Sequence, residues 1–290
     1  LTTLATQTAA ALERDGVSAV SLGYDATLFK GPSASPDWDP SYISANIVTP
    51  VSALWANQGE ANGIRSRDPA LSASKIFGGL LEDRGIRVTG GPAATTVPDG
   101  AKKTASKKSA TVAQIVDAMV RRSDNQAAEV MLRHVAIASD RPATFDGGAK
   151  AVTQALKDAS IDTTGLRIRD GSGLSRDDRA SPTTLAQTVM ASLAGLQTAT
   201  LITDLPVSGF NGTLLNRFSR SQGAYGLVRA KTGTLTGVHS LAGYAVDANG
   251  LPVIFALMSD GTPSVPLVTA EIAIDRVAAA IAACSCGTTP

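Results

Sequence analysis

Leu227-Val-Arg-Ala230, Ser240-Leu-Ala-Gly-Tyr-Ala-Val246 and Val253-Ile-Phe-Ala-Leu-Met258 are three apolar-rich runs of strand length, separated by glycine-containing turns. Runs this close in sequence predict an antiparallel meander, and the apolar spacing from Val265 to Ala283 predicts a helix that closes over it. Upstream, helical spacing dominates from about 111 to 204. The fold class that follows is α/β (α+β): an antiparallel sheet lobe combined with a helical lobe.

Toward the N-terminus, Leu1, Leu4, Ala5, Ala9 and Leu12 mark one face of a helix over 1 to 14, and Val17 to Tyr24 reads as a strand. A Gly-, Pro-, Ser- and Asp-rich loop from Gly31 to Tyr42 marks a subdomain edge, and a short apolar stretch ends near Trp55. Asp68-Pro69 predicts a helix start, with Asp as cap and Pro at the first position, running to Gly85; Ile86-Arg-Val-Thr89 then opens a strand. The expected organisation is residues 1–48 as the end of an inserted subdomain, 49–104 with 221–290 as the sheet lobe, and 105–220 as the helical lobe. There is no internal repeat.

With 290 residues and 43% hydrophobic content, the chain is long enough for one large core or two lobes. Lys plus Arg (26) against Asp plus Glu (25) leaves a net charge of +1, so no global field favours nucleic acid or a membrane surface. Lys102, Lys103, Lys107 and Lys108 read as a solvated loop. Cys284 and Cys286 stand too close in sequence for an easy disulfide and are too few for a metal site. The chain opens at Leu1 inside a helical pattern, as the downstream part of a longer chain would.

Three short words carry chemistry. Ser123-Asp-Asn125 lies between the stripe Val112, Ile115, Val116, Met119, Val120 and a second one begun by Ala127, Val130 and Met131, so it sits at a junction of two helices. Ser123 with Gln126 also fits a capping box, which accounts for the serine without catalysis. The cap leaves Asn125 unexplained, whose amide both donates and accepts toward a peptide. Lys231-Thr-Gly-Thr234 follows 231 − 123 = 108 residues later, in a strand where Gly233 marks close approach of another backbone and the Lys and Thr groups suit a carboxylate. The third word, Ser72-Ala-Ser-Lys75, completes the S-x-x-K, S-D-N and K-T-G set of serine enzymes that acylate on penicillin or D-alanyl peptides.

Together with Asp68-Pro-Ala-Leu71, Arg122-Ser-Asp-Asn125, Asp170-Gly-Ser-Gly-Leu-Ser-Arg176, Leu205-Pro-Val-Ser-Gly209, Gly212-Thr-Leu214 and Leu241-Ala-Gly-Tyr244, these words resemble the D-alanyl-D-alanine carboxypeptidase and endopeptidase family of low-molecular-mass class C penicillin-binding proteins. The resemblance spans about residues 15 to 260. It implies a penicillin-binding-protein or β-lactamase-like transpeptidase fold and serine-type hydrolysis of peptidoglycan stem peptides, without a cofactor. It further implies covalent inhibition by β-lactams and a place in the cell envelope after export. By position, Ser123 would relay protons, Asn125 would bind the substrate amide, and Lys231 would hydrogen-bond Ser123 and help hold a terminal carboxylate with the Thr232 and Thr234 hydroxyls. Gly233 completes that substrate-binding strand, and the Thr234 N–H would be half of an oxyanion hole. Asp170 to Arg176, with Ser172, would floor the cleft.

The nucleophile departs from this pattern. In the family the S-x-x-K word stands far upstream, so Ser72 and Lys75 are read as an accidental match, and the nucleophile is expected in an N-terminal segment of the same protein, intact or as a partner chain. Ile76, Phe77 and Leu80 mark the expected buried face of that helix, with Ser72 and Lys75 on the polar side, whereas a lysine base must be desolvated to lose its charge. The spacing of 123 − 72 = 51 residues argues the other way, toward a self-contained β-lactamase-like enzyme using Ser72. Other classes fare worse. A Ser-His-Asp hydrolase would need His134 or His239, both read as surface or satisfied structural histidines, and there is no Gly-x-Ser-x-Gly elbow. No spaced Cys/His cluster suggests a metal. A non-catalytic module that binds peptidoglycan peptides through Asn125 and Lys231 is the remaining rival.

Overall fold

A computed structural model describes residues 1–195, 199–262 and 264–286. The parts of the expected helical and sheet lobes at 196–198, 263 and 287–290 lie outside the described residues. The chain forms two compact units, each built from separated stretches: Leu1–Ala110 with Asn125–Ala151 and Arg169–Arg176, and Thr111–Asp124 with Val152–Ile168 and Asp177–Pro290.

In the first unit, helix α1 (Thr2–Arg14) packs Ala5 and Ala9 against Leu81 of helix α3 (Pro69–Glu82) and against Ile86. The N-terminus of α3 is set as expected, with Pro69 in the first turn and the Asp68 carboxylate accepting from the Leu71 N–H at 2.9 Å. Its buried face differs from expectation: Ala70, Ala73, Ser74 and Leu81 are buried, while Ile76, Phe77 and Leu80 are half-buried. Small residues allow α1 and α3 to approach closely, so the larger ones move to the margin of the contact.

The strand expected over 17–24 condenses to β1 (Ala19–Val20) and β2 (Gly23–Tyr24). The short pair β3 (Glu60–Ala61) and β4 (Ile64–Arg65) is antiparallel, whereas β1 and β2 pair parallel with β5 (Arg87–Val88) and β6 (Ala93–Ala94). A one-turn helix α2 (Ser41–Ser44) interrupts the polar loop, in which Trp38 is buried.

The second unit carries the meander. Helix α4 (Val112–Arg122) starts at a Thr111/Gln114 capping box; α5 (Asn125–Ala138) and the first part of α6 (Phe145–Asp158) belong to the first unit. Helices α7 (Pro182–Ala194) and α8 (Ala199–Asp204) follow, then β7 (Val228–Leu235), β8 (Val238–Val246), β9 (Pro252–Ser259) and helix α9 (Leu267–Ala283). The sheet order is β7-β8-β9, antiparallel throughout.

Alternation along β8 assigns its two faces. Leu241 and Ala245 point with Val228 and Ala230 into a core shared with Ala278 and Ala282 of α9. Tyr244 points the other way, onto Val116, Met119 and Val120 of α4, Ile202 of α8 and Leu205 just after it. Arg217 locks α9 by a bidentate pair to the buried Asp275 (3.0 and 2.7 Å) and a third contact to Glu271 (3.2 Å). Against expectation, Cys284 and Cys286 are paired, with Cα atoms 5.4 Å apart, a spacing that a disulfide accommodates.

Candidate active site

Ser123 and Lys231, 108 residues apart, meet within the second unit. Lys231 Nζ donates to Ser123 Oγ at 2.6 Å and to the carbonyl oxygen of Thr232 at 2.7 Å. Both halves of the contact are positioned by packing. On β7, Arg229, Lys231 and Gly233 lie opposite Tyr244, Ala242 and Ser240, so the Lys231 stem leaves the sheet on the Tyr244 side, where α4 packs. Ser123 closes α4 in the left-handed conformation (φ 54°, ψ 51°), and the following Asp124 N–H returns to Met119 O at 3.0 Å.

A serine in that conformation costs on the order of 1 kcal/mol. The apolar anchoring of α4 and the lysine contact hold it there. The capping box expected between Ser123 and Gln126 is replaced by these contacts. Gln126 is buried and accepts instead from the Thr49 N–H at 3.2 Å.

Burial pushes the Lys231 ammonium down to about 8. Near neutral pH this amine can therefore exchange a proton with its serine partner, which an exposed lysine does far less readily. Gly233 has a close neighbour, though a side chain and not the backbone expected: a Cβ there would strike Ser240 Oγ across the strand pair, so that hydroxyl would have to rotate away. Thr232 lies on the opposite face of β7 from Lys231, its hydroxyl donating to Thr213 Oγ1 at 3.0 Å. Thr234 is exposed. Strand β7 is at the edge of its sheet, and an isolated bridge joins Val207 to Arg229 on its outer side.

The remaining candidates lie in the first unit. Asn125 is the first residue of α5 and is half-buried. One turn later the fully buried Glu129 accepts from the N–H groups of Gly171 and Ser172 and from the Ser172 hydroxyl, which donates to it at 2.5 Å. Asp170 is buried too, and accepts from Trp38 Nε1, Gly173 N and Ser175 N, each at 2.7 Å. The loop from Asp170 to Arg176 is thus folded around two acid side chains. Ser72 is half-buried and Lys75 exposed on α3.

Sequence reasoning passed over Glu129, although a signal existed: Gln126, Glu129 and Arg133 recur at helical spacing on α5 and are all buried. Arg133 donates to the carbonyls of Lys30, Ala143 and Pro32 and covers the Phe145 ring at 4.0 Å. His134 is exposed and edge-on to Phe29. His239 is neither at the surface nor satisfied: it is buried in β8, and neither ring nitrogen has a hydrogen-bond partner among the described residues. Among the described residues, no group of three or more His, Cys, Asp or Glu side chains is placed to hold a metal, and no helix is long and apolar enough to cross a membrane.

Comparison with known proteins identifies the family. A carboxypeptidase of Mycobacterium tuberculosis is 37% identical over 290 residues, covering 96% of this chain and 60% of that protein. Carboxypeptidase DacB of Mycolicibacterium smegmatis is 34% identical over 282 residues, covering 94% and 60% respectively. The chain thus spans about 60% of the length of these two relatives. Among solved structures, penicillin binding protein 4 of Haemophilus influenzae superimposes with a TM-score of 0.71 at 22% identity, covering 93% of this chain and 75% of that one, which establishes a penicillin-binding-protein fold. Residues 59–281 match the D-Ala-D-Ala carboxypeptidase 3 (S13) family, and the chain belongs to it.

Proposed function

We propose that the protein is a serine-type D-Ala-D-Ala carboxypeptidase or endopeptidase of peptidoglycan stem peptides, acting through an acyl-enzyme, in which Ser123 and Lys231 form the proton relay. The observation that carries this reading is the 2.6 Å contact between Lys231 Nζ and Ser123 Oγ. When a serine oxygen adds to the peptide carbonyl and the C–N bond breaks, the departing amine needs one proton. The attacking hydroxyl gives up its proton to the base paired with it, and the departing nitrogen takes one from the Ser123 O–H, which is free to donate because Ser123 accepts from Lys231; Lys231, held near 8, can then replace that proton. Water completes the cycle by hydrolysing the ester.

Substrate is held along the outer edge of β7, in an extended conformation like that of an added strand. Lys231 receives the terminal carboxylate, Asn125 receives a peptide amide, and the Thr234 N–H supports the oxyanion; the Thr232 and Thr234 side chains leave β7 on the other face, where Thr232 is engaged by Thr213, and are not assigned to the carboxylate. The attacking serine is not Ser72. Its partner Lys75 is exposed, whereas the base of such a pair must be desolvated; the nucleophile is supplied from outside residues 1–290.

Penicillin binding protein 4 of Haemophilus influenzae has been solved complexed with a β-lactam (27% identity, TM-score 0.62, covering 74% of this chain and 50% of that one). This supports β-lactams as covalent inhibitors here. A cell-envelope location after export follows from the substrate. Penicillin treatment followed by mass spectrometry tests the assignment: an adduct outside residues 1–290 is expected in the full-length protein, while a stable adduct on Ser72 would replace it with a self-contained enzyme.

A further inference from the structure

The face of the sheet that carries Lys231 changes character along its length. Register sets three rows across it: Arg229, Tyr244 and Ile254; Lys231, Ala242 and Ala256; then Gly233, Ser240 and Met258. The first row is covered, because Tyr244 packs on α4 and on Ile202 of α8. The third row is open, with Met258 44% exposed and Ser240 half-buried. Lys231, in the row between, meets Ser123 Oγ at 2.6 Å.

Ser240 takes the place of a β7 side chain. A Cβ on Gly233 would lie 2.3 Å from Ser240 Oγ, so the hydroxyl leans across the strand pair and over β7. Lys231 is two residues away along β7 on the same face, about 7 Å by strand rise. Among the described residues the Ser240 hydroxyl has one partner, the Gly233 carbonyl oxygen at 3.5 Å, a contact at the outer limit of a hydrogen bond. Its O–H is therefore little committed. Thr232 and Thr234 leave β7 on the other face, and Arg229 shares this face but stands in the covered row. At the open end, the donors on the Lys231 side are thus the Lys231 ammonium and the hydroxyls of Ser123 and Ser240.

We propose that Ser240 is a substrate-binding residue: its hydroxyl, together with the Lys231 ammonium, receives the free terminal carboxylate of the peptide and selects acid ends over amide ends. This role presupposes the carboxypeptidase reading and the relay of Ser123 and Lys231 given above. The match is one of donors to acceptors. A carboxylate only accepts; the ammonium has three N–H groups, of which Ser123 and the Thr232 carbonyl take two, and Ser240 adds one O–H. One carboxylate oxygen then faces each donor. A terminal carboxamide has a single oxygen and turns its NH2 toward the second donor, which leaves that donor unpaired. Gly233 serves the same end, since a side chain there would push the Ser240 hydroxyl from its place.

Two substrates separate this role from a structural one. The kcat/KM of the full-length protein and of its Ser240→Ala variant would be measured on a peptide ending in D-Ala-D-Ala, as the free acid and as the C-terminal carboxamide. A hydrogen bond to a charged acceptor is worth about tenfold or more, so the wild-type preference for the acid is expected to fall by about that factor in the variant, through a raised KM for the acid. Damage to the fold would instead lower both substrates together. An acid-to-amide preference equal in wild type and S240A would overturn the subsite and leave the relay standing. A wild-type protein that turns over neither peptide would overturn the reading beneath it as well.

Discussion

Replacing Lys231 with methionine separates the cost of the buried ammonium from its use. Lys231 sits at about 8 in the folded protein against an ordinary 10.5, and burial is the cause. At about 1.4 kcal/mol per pH unit this interval corresponds to about 3 kcal/mol, or about 2 kcal/mol after allowance for partial solvent access. The sign is fixed by proton counting. Between 8 and 10.5 the unfolded chain binds the proton and the folded chain does not, so this group adds stability as pH rises through that window and withdraws it as pH falls. Lys231→Met has no such dependence.

Urea unfolding of both proteins from pH 7 to pH 10.5 should therefore show the wild type gaining about 2 kcal/mol relative to the variant, with equal m-values. Other titrations, tyrosines included, are common to both proteins and cancel in the difference. A difference that stays constant with pH would show that Lys231 is not desolvated. The basis for its proton exchange with Ser123 would then be gone.

Three further outcomes follow from packing. Arg217→Ala leaves Asp275 buried without its bidentate partner and should cost about 3 to 5 kcal/mol in denaturant unfolding, far more than removal of an exposed arginine. Leu241→Ala empties the centre of the core between β8 and α9 and should cost about 2 to 5 kcal/mol by the same assay. Gly233→Ala forces Ser240 to move and should slow β-lactam labelling, while the double variant with Ser240→Gly should recover part of the loss.

Much of the fold was legible in the sequence where its signals are local. Val228 to Val246 alternates with the period of a strand, Asp68-Pro69 supplies a cap and a first-turn proline, and the S-D-N and K-T-G words carry their own order and spacing. The misreadings share a cause, which is that distant contacts decide between local options. Ser123 could have been a helix start by its spacing to Gln126, but Lys231 and Thr49 each claim one of those side chains, and Ser123 becomes a left-handed helix end. Glu129 was passed over because its partners lie 42 and 43 residues away. The apolar signal of Val17 to Tyr24 is real, yet pairing with β5 and β6 leaves only two short ladders. His239 gave no sign of being buried without partners.

The shared site of Ser123 and Lys231 is tested most directly by the rate at which a fluorescent penicillin labels the full-length protein, its Ser123→Ala variant and its Lys231→Ala variant. Each substitution removes one end of the 2.6 Å contact, and labelling is expected to slow by about 10²-fold or more in both, with the double variant little slower than either single. Labelling at the wild-type rate in either single variant would contradict the relay and reduce the contact to the end of a helix meeting the edge of a sheet.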